Sequence, residues 1–114
     1  KVFSFERIHD HAIRARKRLE ELGYTNIAIR AGDGTHGWRT EAPFDAVIVS
    51  AASPVVPPPL VEQLNRGGKM VLPLGDDREQ RLTLVQRIED GGTGQEDLGG
   101  CRFVRLIGEH GWKM

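Results

Sequence analysis

The sequence opens with KVFSFE (residues 1–6), the stretch that decides its fold, and reaches a GDG turn at residues 32–34. The first stretch is a short apolar strand closed by the acid Glu6, and a helix and a second strand lie between the two motifs. In nucleotide-binding α/β domains, a further strand and a glycine-rich turn normally come before such a strand. Since the sequence begins with Lys1 and not with Met, we expect it to be the later portion of such a domain.

Length and charge bound the class of protein. The 114 residues are enough for one domain and too few for two, and the 16 basic and 16 acidic side chains give a net charge of zero. This balance argues against nucleic acid or an anionic membrane surface as a partner, and no apolar run approaches the roughly 20 residues of a membrane span. The single cysteine, Cys101, cannot form an internal disulfide, which predicts a cytoplasmic protein.

The middle of the chain alternates between helix and strand patterns. Helical spacing of apolar residues, among them Ala12, Ala15, Leu19 and Leu22, predicts a helix at residues 10–22 that ends at Gly23. The β-branched stretch at residues 44–50 predicts a strand covered on both faces. The remaining elements are predicted as strands at residues 26–30 and 69–74, a loop at residues 31–40, and a short helix that follows Pro57, Pro58 and Pro59 and buries Leu60, Val61 and Leu64.

After residue 74 the pattern changes to short alternating stretches. These predict two antiparallel strands at residues 80–89 and 101–107, joined through a polar turn at residues 90–94. The whole pattern predicts an α/β fold with a mixed sheet, in which right-handed parallel crossovers are followed by a C-terminal antiparallel hairpin. Residues 1–114 are predicted to form a single partial domain.

The loops that follow the strands carry the candidate ligand-binding residues, because ligands of such sheets bind beyond the carboxyl ends of the strands. Glu6 is placed to accept hydrogen bonds from ribose hydroxyls, and the alternative is a carboxylate that stabilises a helix start. Asp33 is placed to accept the amine of adenine while the Gly34 amide faces a ring nitrogen, and the alternative is a plain turn aspartate. The small residues at 50–54 permit either close approach of a substrate or a tight turn.

Other reactive side chains are predicted to be structural or solvated. His9 and His11 diverge by about 200° on a helix, so we predict no metal site there. The remaining predictions are that Cys101 is a small buried strand residue, that Trp38 and Trp112 pack beside the pocket, and that Glu109 and His110 are solvated.

Four segments resemble the later half of the proteins of the protein-L-isoaspartate O-methyltransferase family. They are KVFSFERI, GDGTHGW, PFDAVIVSAASPVVPPPLVEQLNRGGKMVLPLG and RFVRLIGEHGW, and they occur in this order. The resemblance implies a Rossmann-like class I methyltransferase sheet whose first strand, glycine-rich cofactor loop and active-site segment lie before Lys1. It also implies that the enzyme uses S-adenosylmethionine to methylate isoaspartyl-containing peptides or proteins in protein repair.

The family's site residues carry over by motif. The resemblance implies that Glu6 holds the ribose hydroxyls, that Asp33 and Gly34 hold adenine, and that Ile107 lies beside the cofactor. It further implies that the backbone of Val104 pairs with the extended substrate peptide, which is a form of strand addition.

One position departs from the family, which usually has proline after that valine. Here the residue is Arg105, which restores an N–H group and adds a charge at the proposed peptide-docking segment. No catalytic residue is assigned, because an ionised carboxylate attacks a sulfonium methyl without a general base.

A missing first strand would expose two parallel edges within the sheet. We therefore expect the 114-residue chain to self-associate or to close the gap, and to show little cofactor binding or activity. The alternative is a non-enzymatic interaction or oligomerisation module. A nicotinamide-dependent oxidoreductase also places an acid after the second strand, but the GDG turn and the FVRL ending (residues 103–106) disfavour it.

Overall fold

The structure is a computed structural model that describes residues 1–89 and 91–114. Asp90, the first residue of the predicted turn at 90–94, lies outside the described residues. The chain divides into two units, Lys1–Gly34 and Thr35–Met114. The elements in chain order are β1 (Val2–Glu6), α1 (His9–Glu21), β2 (Ile27–Ala31), β3 (Phe44–Ile48), α2 (Pro58–Glu62), β4 (Leu64–Gly75), β5 (Gln80–Arg87) and β6 (Thr93–Cys101), with 3-10 turns at Gly34–His36 and Arg39–Glu41.

The first unit is a β1-α1-β2 crossover. Its two strands pair in parallel, from Val2 opposite Ile27 to Glu6 opposite Ala31. Both strands are five residues long and lie within one residue of the predicted bounds. The unit therefore presents the ends of two neighbouring parallel strands at one edge.

Helix α1 buries less of its apolar stripe than predicted. Ala12 is buried and Leu19 is half-buried, whereas Ala15 and Leu22 are exposed. Within the first unit the sheet that faces this helix has only two strands, so part of the apolar stripe lies beyond the sheet. The predicted helix end is confirmed, since Gly23 has a φ of 88°, a left-handed conformation that suits glycine.

The second unit contains a four-stranded sheet in the order β3-β4-β5-β6. β3 and β4 are parallel, and the pairs β4–β5 and β5–β6 are antiparallel. The predicted mixed sheet with a C-terminal hairpin is therefore confirmed. Among the described residues, no helix is both long enough and apolar enough to cross a membrane.

The core of the second unit lies between α2 and one face of the sheet. Met70 and Leu72 project from that face of β4, and each is 0% exposed. Val85 on β5 lies opposite Met70 in the ladder. The buried cluster comprises Leu60, Leu64, Met70, Leu72 and Val85.

Strand β3 is not covered on both faces, contrary to the prediction from its β-branched composition. Val47 and Val49 pack against the core, whereas Ile48 between them is 81% exposed. Successive side chains of a strand point to opposite faces, and within the described part of this unit α2 covers only the face that carries the core. An apolar run alone did not reveal this asymmetry.

The second strand of the C-terminal hairpin is also not where it was predicted. It is Thr93–Cys101 rather than residues 101–107. The Ile88 N–H donates to Gly92 O at 3.0 Å, so the chain reverses at once and pairing resumes with Thr93 opposite Arg87. Because β6 is a mostly exposed edge strand, its polar sequence carries no apolar alternation by which to recognise it.

β4 begins earlier than predicted. Leu64 was predicted to lie in the short helix, but it is the first residue of the strand. The register against β3 then shifts, since Phe44 faces Leu64 but Ala46 already faces Lys69. A Cβ on Gly68 would lie 2.8 Å from Asn65 O, so the tight irregularity needs glycine there. Arg87 closes this end by donating from Nη1 to the carbonyl oxygens of Glu62 at 2.9 Å and Leu64 at 3.1 Å.

Among the described residues, four strands have one paired edge each, namely β1, β2, β3 and β6, and the predicted gap concerns β1 and β3. Within residues 1–89 and 91–114, β1 pairs only with β2, and β3 pairs only with β4. Self-association through such edges stays a prediction.

Truncation of Leu72 should destabilise the second unit strongly. Leu72→Ala removes a fully buried side chain and leaves a cavity, so we expect a loss of about 2–5 kcal/mol in the free energy of unfolding. Urea unfolding followed by circular dichroism measures this loss. The matched control is Leu98→Ala on β6, where leucine is 48% exposed. Equal losses in the two variants would contradict the assignment of the core.

Candidate functional site

The predicted nucleoside-binding residues of the first unit follow neighbouring strand ends. Glu6 is the last residue of β1, and its carbonyl oxygen accepts the Gly32 N–H at 2.9 Å. Asp33 and Gly34 come directly after that glycine. The structure therefore brings the backbones of all three predicted residues to the carboxyl ends of β1 and β2, where ligands of parallel sheets bind. Their roles stay predictions.

The Glu6 carboxylate already has a local partner. Its Oε1 accepts the backbone N–H of Ile8, the N-cap of α1, at 3.1 Å, and lies 4.0 Å from His11 Nδ1. The side chain stays 40% exposed. This contact is the one expected of a carboxylate at a helix start, and it also fixes the direction of the carboxyl group.

Gly34 packs closely against β1 within the first unit. A Cβ at this position would lie 3.1 Å from Phe5 Cβ, which is closer than an ordinary van der Waals contact. The second glycine of the GDG turn therefore lets the chain pass closely over β1. The same closeness is what an approaching flat ring would need.

In the second unit, the small residues after β3 make backbone contacts on both sides. The Ala52 N–H donates to Val104 O at 2.7 Å, and Ser53 N–H donates to Pro73 O at 3.0 Å. Ala52 is 1% exposed and Ser53 is 0% exposed. Ala52 and Ser53 are therefore tightly packed, whereas Ser50 and Pro54 are exposed, so both alternatives for residues 50–54 stay open.

The segment that carries Val104 runs parallel to Ala52. Besides the Val104 contact, the Leu106 N–H donates to Ala52 O at 2.8 Å, so Arg105 is the bridged residue. Successive residues of an extended chain point their N–H and C=O groups to opposite sides. The carbonyl of Val104 is therefore engaged within the chain, while the N–H and C=O of Arg105 face away from Ala52. Val104 keeps a side chain that is 76% exposed.

The Arg105 side chain is held by two contacts. Its Nε and Nη2 donate to the two carboxylate oxygens of Asp77 at 3.1 and 2.6 Å. Its guanidinium carbon lies 5.4 Å from the ring centroid of Trp112, a cation–π distance. Ile107 is half-buried and forms a bridge with Trp112. Arg105 therefore connects the segment of Val104 and Ile107 to the β4–β5 turn.

The ion pair between Arg105 and Asp77 shifts the pKa of both side chains. The hydrogen bond from Arg105 is the main cause that holds the pKa of Asp77 below its ordinary value. The same hydrogen bond raises the pKa of Arg105. The pKa of Asp77 is lower in the folded chain than its ordinary value. The stabilisation from its ion pair with Arg105 is therefore present at pH values above the ordinary pKa and is lost as the pH falls through the pKa of the folded state.

Gln63 fixes the loop after the GDG turn, and the sequence pattern did not single it out. Its side chain is 6% exposed, donates from Nε2 to His36 O at 2.8 Å and accepts the Trp38 N–H on Oε1 at 2.9 Å. A Cβ on the intervening Gly37 would lie 2.2 Å from that same Oε1. One buried amide thus satisfies the backbone on both sides of a glycine. A polar residue at the C-cap of a short helix carries no local signal of this role.

Two residues predicted to be solvated, Glu109 and His110, also contact other residues of the second unit. His36 Nε2 lies 2.9 Å from Glu109 Oε2, and the His110 ring meets the His36 ring edge-on, with centroids 5.1 Å apart. The His110 N–H also donates to Oγ1 of the fully buried Thr35 at 3.2 Å. Glu109 is still 65% exposed, as predicted, and His110 is half-buried. Their contacts with His36 and Thr35 were not predicted, because these residues are far apart in sequence and meet only in the fold.

A cavity of about 220 Å³ lies elsewhere in the second unit. Its lining residues include Arg66, Arg87 and Ile88. Arg87 ends β5, whereas Gln80, which pairs through its side chain with the backbone of Phe103, begins it. The cavity is therefore at the opposite end of β5 from the Val104 segment and carries none of the predicted site residues.

The β1-α1-β2 crossover that ends in an acid and a GDG turn, and the parallel β3–β4 pair with an antiparallel hairpin, define the Rossmann-like class I methyltransferase fold. The family model for protein-L-isoaspartate(D-aspartate) O-methyltransferase matches residues 1–111. The chain belongs to this family. The predicted fold class is confirmed.

Similar proteins agree with this membership. The chain is 54% identical over 113 residues to a protein-L-isoaspartate O-methyltransferase of Syntrophus aciditrophicus, with 97% of this chain and 52% of the relative covered. It is 51% identical over 112 residues to protein-L-isoaspartate O-methyltransferase 2 of Geotalea uraniireducens, with 98% and 52% covered. The chain thus spans about half the length of these curated relatives.

Solved structures show the same fold. One described as a protein-L-isoaspartate O-methyltransferase has a TM-score of 0.86 at 26% identity, over 96% of this chain and 35% of that chain. A Plasmodium falciparum beta-aspartate methyltransferase in complex with S-adenosyl-L-homocysteine has a TM-score of 0.77 at 24% identity, over 92% of this chain and 51% of that chain.

Removal of the Gln63 amide should loosen the loop at residues 36–38. Gln63→Leu leaves the His36 carbonyl and the Trp38 N–H without this partner, so we expect a loss of about 1–3 kcal/mol in the free energy of unfolding. Urea unfolding and hydrogen exchange of the Trp38 amide measure the effect. Gln95→Leu on the exposed strand β6 is the control, and faster exchange in the control alone would contradict the assigned role.

The titration of Asp77 should depend on Arg105. In Arg105→Gln, we expect the pKa of Asp77 to rise toward the ordinary value of about 3.9, because the bidentate hydrogen bonds are lost. Carbon NMR titration of the side-chain carboxyl measures the pKa. Asp97 is the internal control, since its pKa is lowered mainly by a hydrogen bond from Arg81 and should not move. Equal shifts of both aspartates, or no shift of Asp77, would contradict the assignment.

Proposed function

We propose that the protein is an S-adenosylmethionine-dependent carboxyl O-methyltransferase that acts on isoaspartyl residues of damaged proteins. The observation that carries this proposal is the match of residues 1–111 to the protein-L-isoaspartate(D-aspartate) O-methyltransferase family. It is supported by the geometry of the first unit, where Glu6 and Asp33 follow the ends of neighbouring parallel strands.

Glu6 fits the ribose of the proposed cofactor. A carboxylate only accepts hydrogen bonds, and vicinal hydroxyls supply two donors. In the structure, Ile8 N–H holds Oε1 at 3.1 Å and so orients the carboxyl group, while 40% of the side chain stays exposed. Asp33 and Gly34 are the proposed partners of adenine. The complex of the Plasmodium relative with S-adenosyl-L-homocysteine supports the choice of cofactor.

The proposed reaction asks the chain for positioning rather than for acid–base catalysis. When bound, S-adenosylmethionine supplies an electrophilic methyl group. An oxygen of the isoaspartyl carboxylate forms a bond to the methyl carbon, the carbon–sulfur bond breaks, and its electron pair stays on sulfur. The products are a methyl ester and S-adenosylhomocysteine. Because the carboxylate is ionised at neutral pH, alignment of the reacting groups is the main contribution that residues can make.

The segment at residues 104–107 is the proposed docking edge for the substrate peptide. Val104 is the proposed partner of the peptide backbone. Because the Val104 carbonyl already accepts the Ala52 N–H, the backbone groups of this segment that face away from Ala52 are the N–H and C=O of the adjacent Arg105. Val104 flanks them with an exposed side chain, and Ile107 is the proposed neighbour of the cofactor. The ion pair of Arg105 with Asp77 supports this role because it fixes the docking edge.

The composition of the chain supports the remaining proposals on partners and location. A net charge of zero supports a protein without nucleic-acid or membrane partners, and a single cysteine supports a cytoplasmic location. Self-association through the outer edges of β1 and β3 belongs to the alternative of an interaction module.

Methyl transfer should distinguish the isoaspartyl residue from its normal isomer. The protein expressed from its complete coding sequence is expected to transfer radiolabelled methyl groups from S-adenosylmethionine to an isoaspartyl peptide and not to the aspartyl peptide of the same sequence. Glu6→Gln should weaken binding of S-adenosylhomocysteine, measured by calorimetry, by about tenfold or more, which corresponds to the loss of a charged hydrogen-bond acceptor.

The matched control is Glu21→Gln at the exposed end of α1. Equal affinities of the Glu6→Gln and Glu21→Gln proteins would contradict the role of Glu6. Equal methylation of the two peptides, or no transfer to either, would contradict the proposed activity itself. For the 114-residue chain alone, weak binding of S-adenosylhomocysteine stays the expectation.

A further inference from the structure

We propose that His36, Glu109 and His110 form a zinc-binding site within the second unit. Each offers one ligand atom, and these atoms all lie within 4.8 Å of one another. The site uses none of the residues proposed to bind nucleoside or peptide, so it stands independently of the proposed methyl transfer.

The spacing of the three side chains suits a small metal ion. His36 Nε2 and Glu109 Oε2 are 2.9 Å apart, and the two histidine rings meet at 86° with centroids 5.1 Å apart. Zinc bonds of about 2.0–2.2 Å in a tetrahedral site place neighbouring ligand atoms about 3.3 Å apart. The ligand atoms, which now lie within 4.8 Å of one another, would need to approach by about 1.5 Å at most to reach this spacing.

The chemistry of the ligands favours zinc over the hard cations. Two imidazole nitrogens and one carboxylate oxygen are a donor set that binds zinc, whereas magnesium and calcium prefer oxygen ligands alone. The His36 side chain is 46% exposed and that of Glu109 is 65% exposed. An ion can therefore reach the site from solvent, and a water molecule can complete its coordination.

The backbone of His36 is held on both sides before any ion binds. Gln63 accepts a hydrogen bond from Trp38 and donates one to His36 itself. Thr35, which is 0% exposed, accepts the His110 N–H at 3.2 Å. This hydrogen bond ties the turn that carries two ligands to the loop that carries the third. Ligands whose backbones are already fixed lose less conformational freedom on binding.

The turn that carries Glu109 and His110 is closed by its own hydrogen bonds. Gly108 N–H donates to Trp112 O at 3.1 Å, and Trp112 N–H donates to Leu106 O at 2.7 Å. A Cβ on Gly111 would lie 2.4 Å from Leu106 O, so the turn requires glycine at that position. Both ligands are thus presented from a short and constrained reversal of the chain.

The four histidines of the chain provide a sharp test. Calorimetric titration of the 114-residue chain with zinc chloride is expected to show one site. His36→Gln and His110→Gln should each weaken zinc binding by at least about tenfold, since each removes a coordinate bond. Zinc should also raise the melting temperature of the wild-type chain, because it binds the folded state, and this rise should be lost in both variants.

Matched controls distinguish this site from other side chains of the chain that are able to bind zinc. The double variant His9→Gln/His11→Gln on α1 and the variant Cys101→Ser should bind zinc as the wild type does. Glu109→Gln, which nearly preserves the shape of the side chain, should weaken zinc binding without changing the urea midpoint measured in a chelator. Absence of zinc binding, full affinity in the His36→Gln and His110→Gln proteins, or loss of affinity in the His9→Gln/His11→Gln protein would overturn the proposal.

Discussion

The second unit depends on the backbone hydrogen bonding of β4. This strand pairs in parallel with β3, antiparallel with β5, and beyond the end of β3 with Ser53 of the following loop. Pro73 lies in this central strand, although proline cannot donate to a ladder. It is tolerated because the neighbour at that point is Ser53, whose N–H needs only the Pro73 carbonyl as its acceptor. The same strand carries Met70 and Leu72, so the ladder and the core are fixed together.

The loop pairings at the end of β4 position the proposed docking edge. Ala52 is bonded to the Val104 segment, so this segment inherits its place from the sheet rather than from its own composition. The side chain of Arg105 also restrains the segment, through its ion pair with Asp77 and its contact with the Trp112 ring. The position of the segment therefore depends in part on the charge of Asp77.

The sequence predicted elements well where local patterns and buried surface coincide. β1, α1 and β2 were recognised to within a residue or so, and the end of α1 followed from the preference of glycine for a left-handed conformation at Gly23. β6 was misplaced because an exposed edge strand needs no apolar alternation, so only the tight turn after Ile88 sets its register. The coverage of β3 was misjudged for a related reason: composition reports that residues are apolar, not whether an element lies over each face.

The sequence by itself determined the family, the order of the elements and the acids that follow the strands, because these depend on short motifs and on spacings of two to four residues. Only the tertiary structure decided which polar side chains meet. Gln63 reaches Trp38 across 25 positions, and the backbone of His110 reaches Thr35 across 75. No periodicity of the sequence predicts contacts between residues so far apart in the chain, since these contacts result from how strands and loops pack. The hydrogen bonds that hold the loop after the GDG turn, and the histidine–glutamate cluster beside it, are therefore properties of the fold.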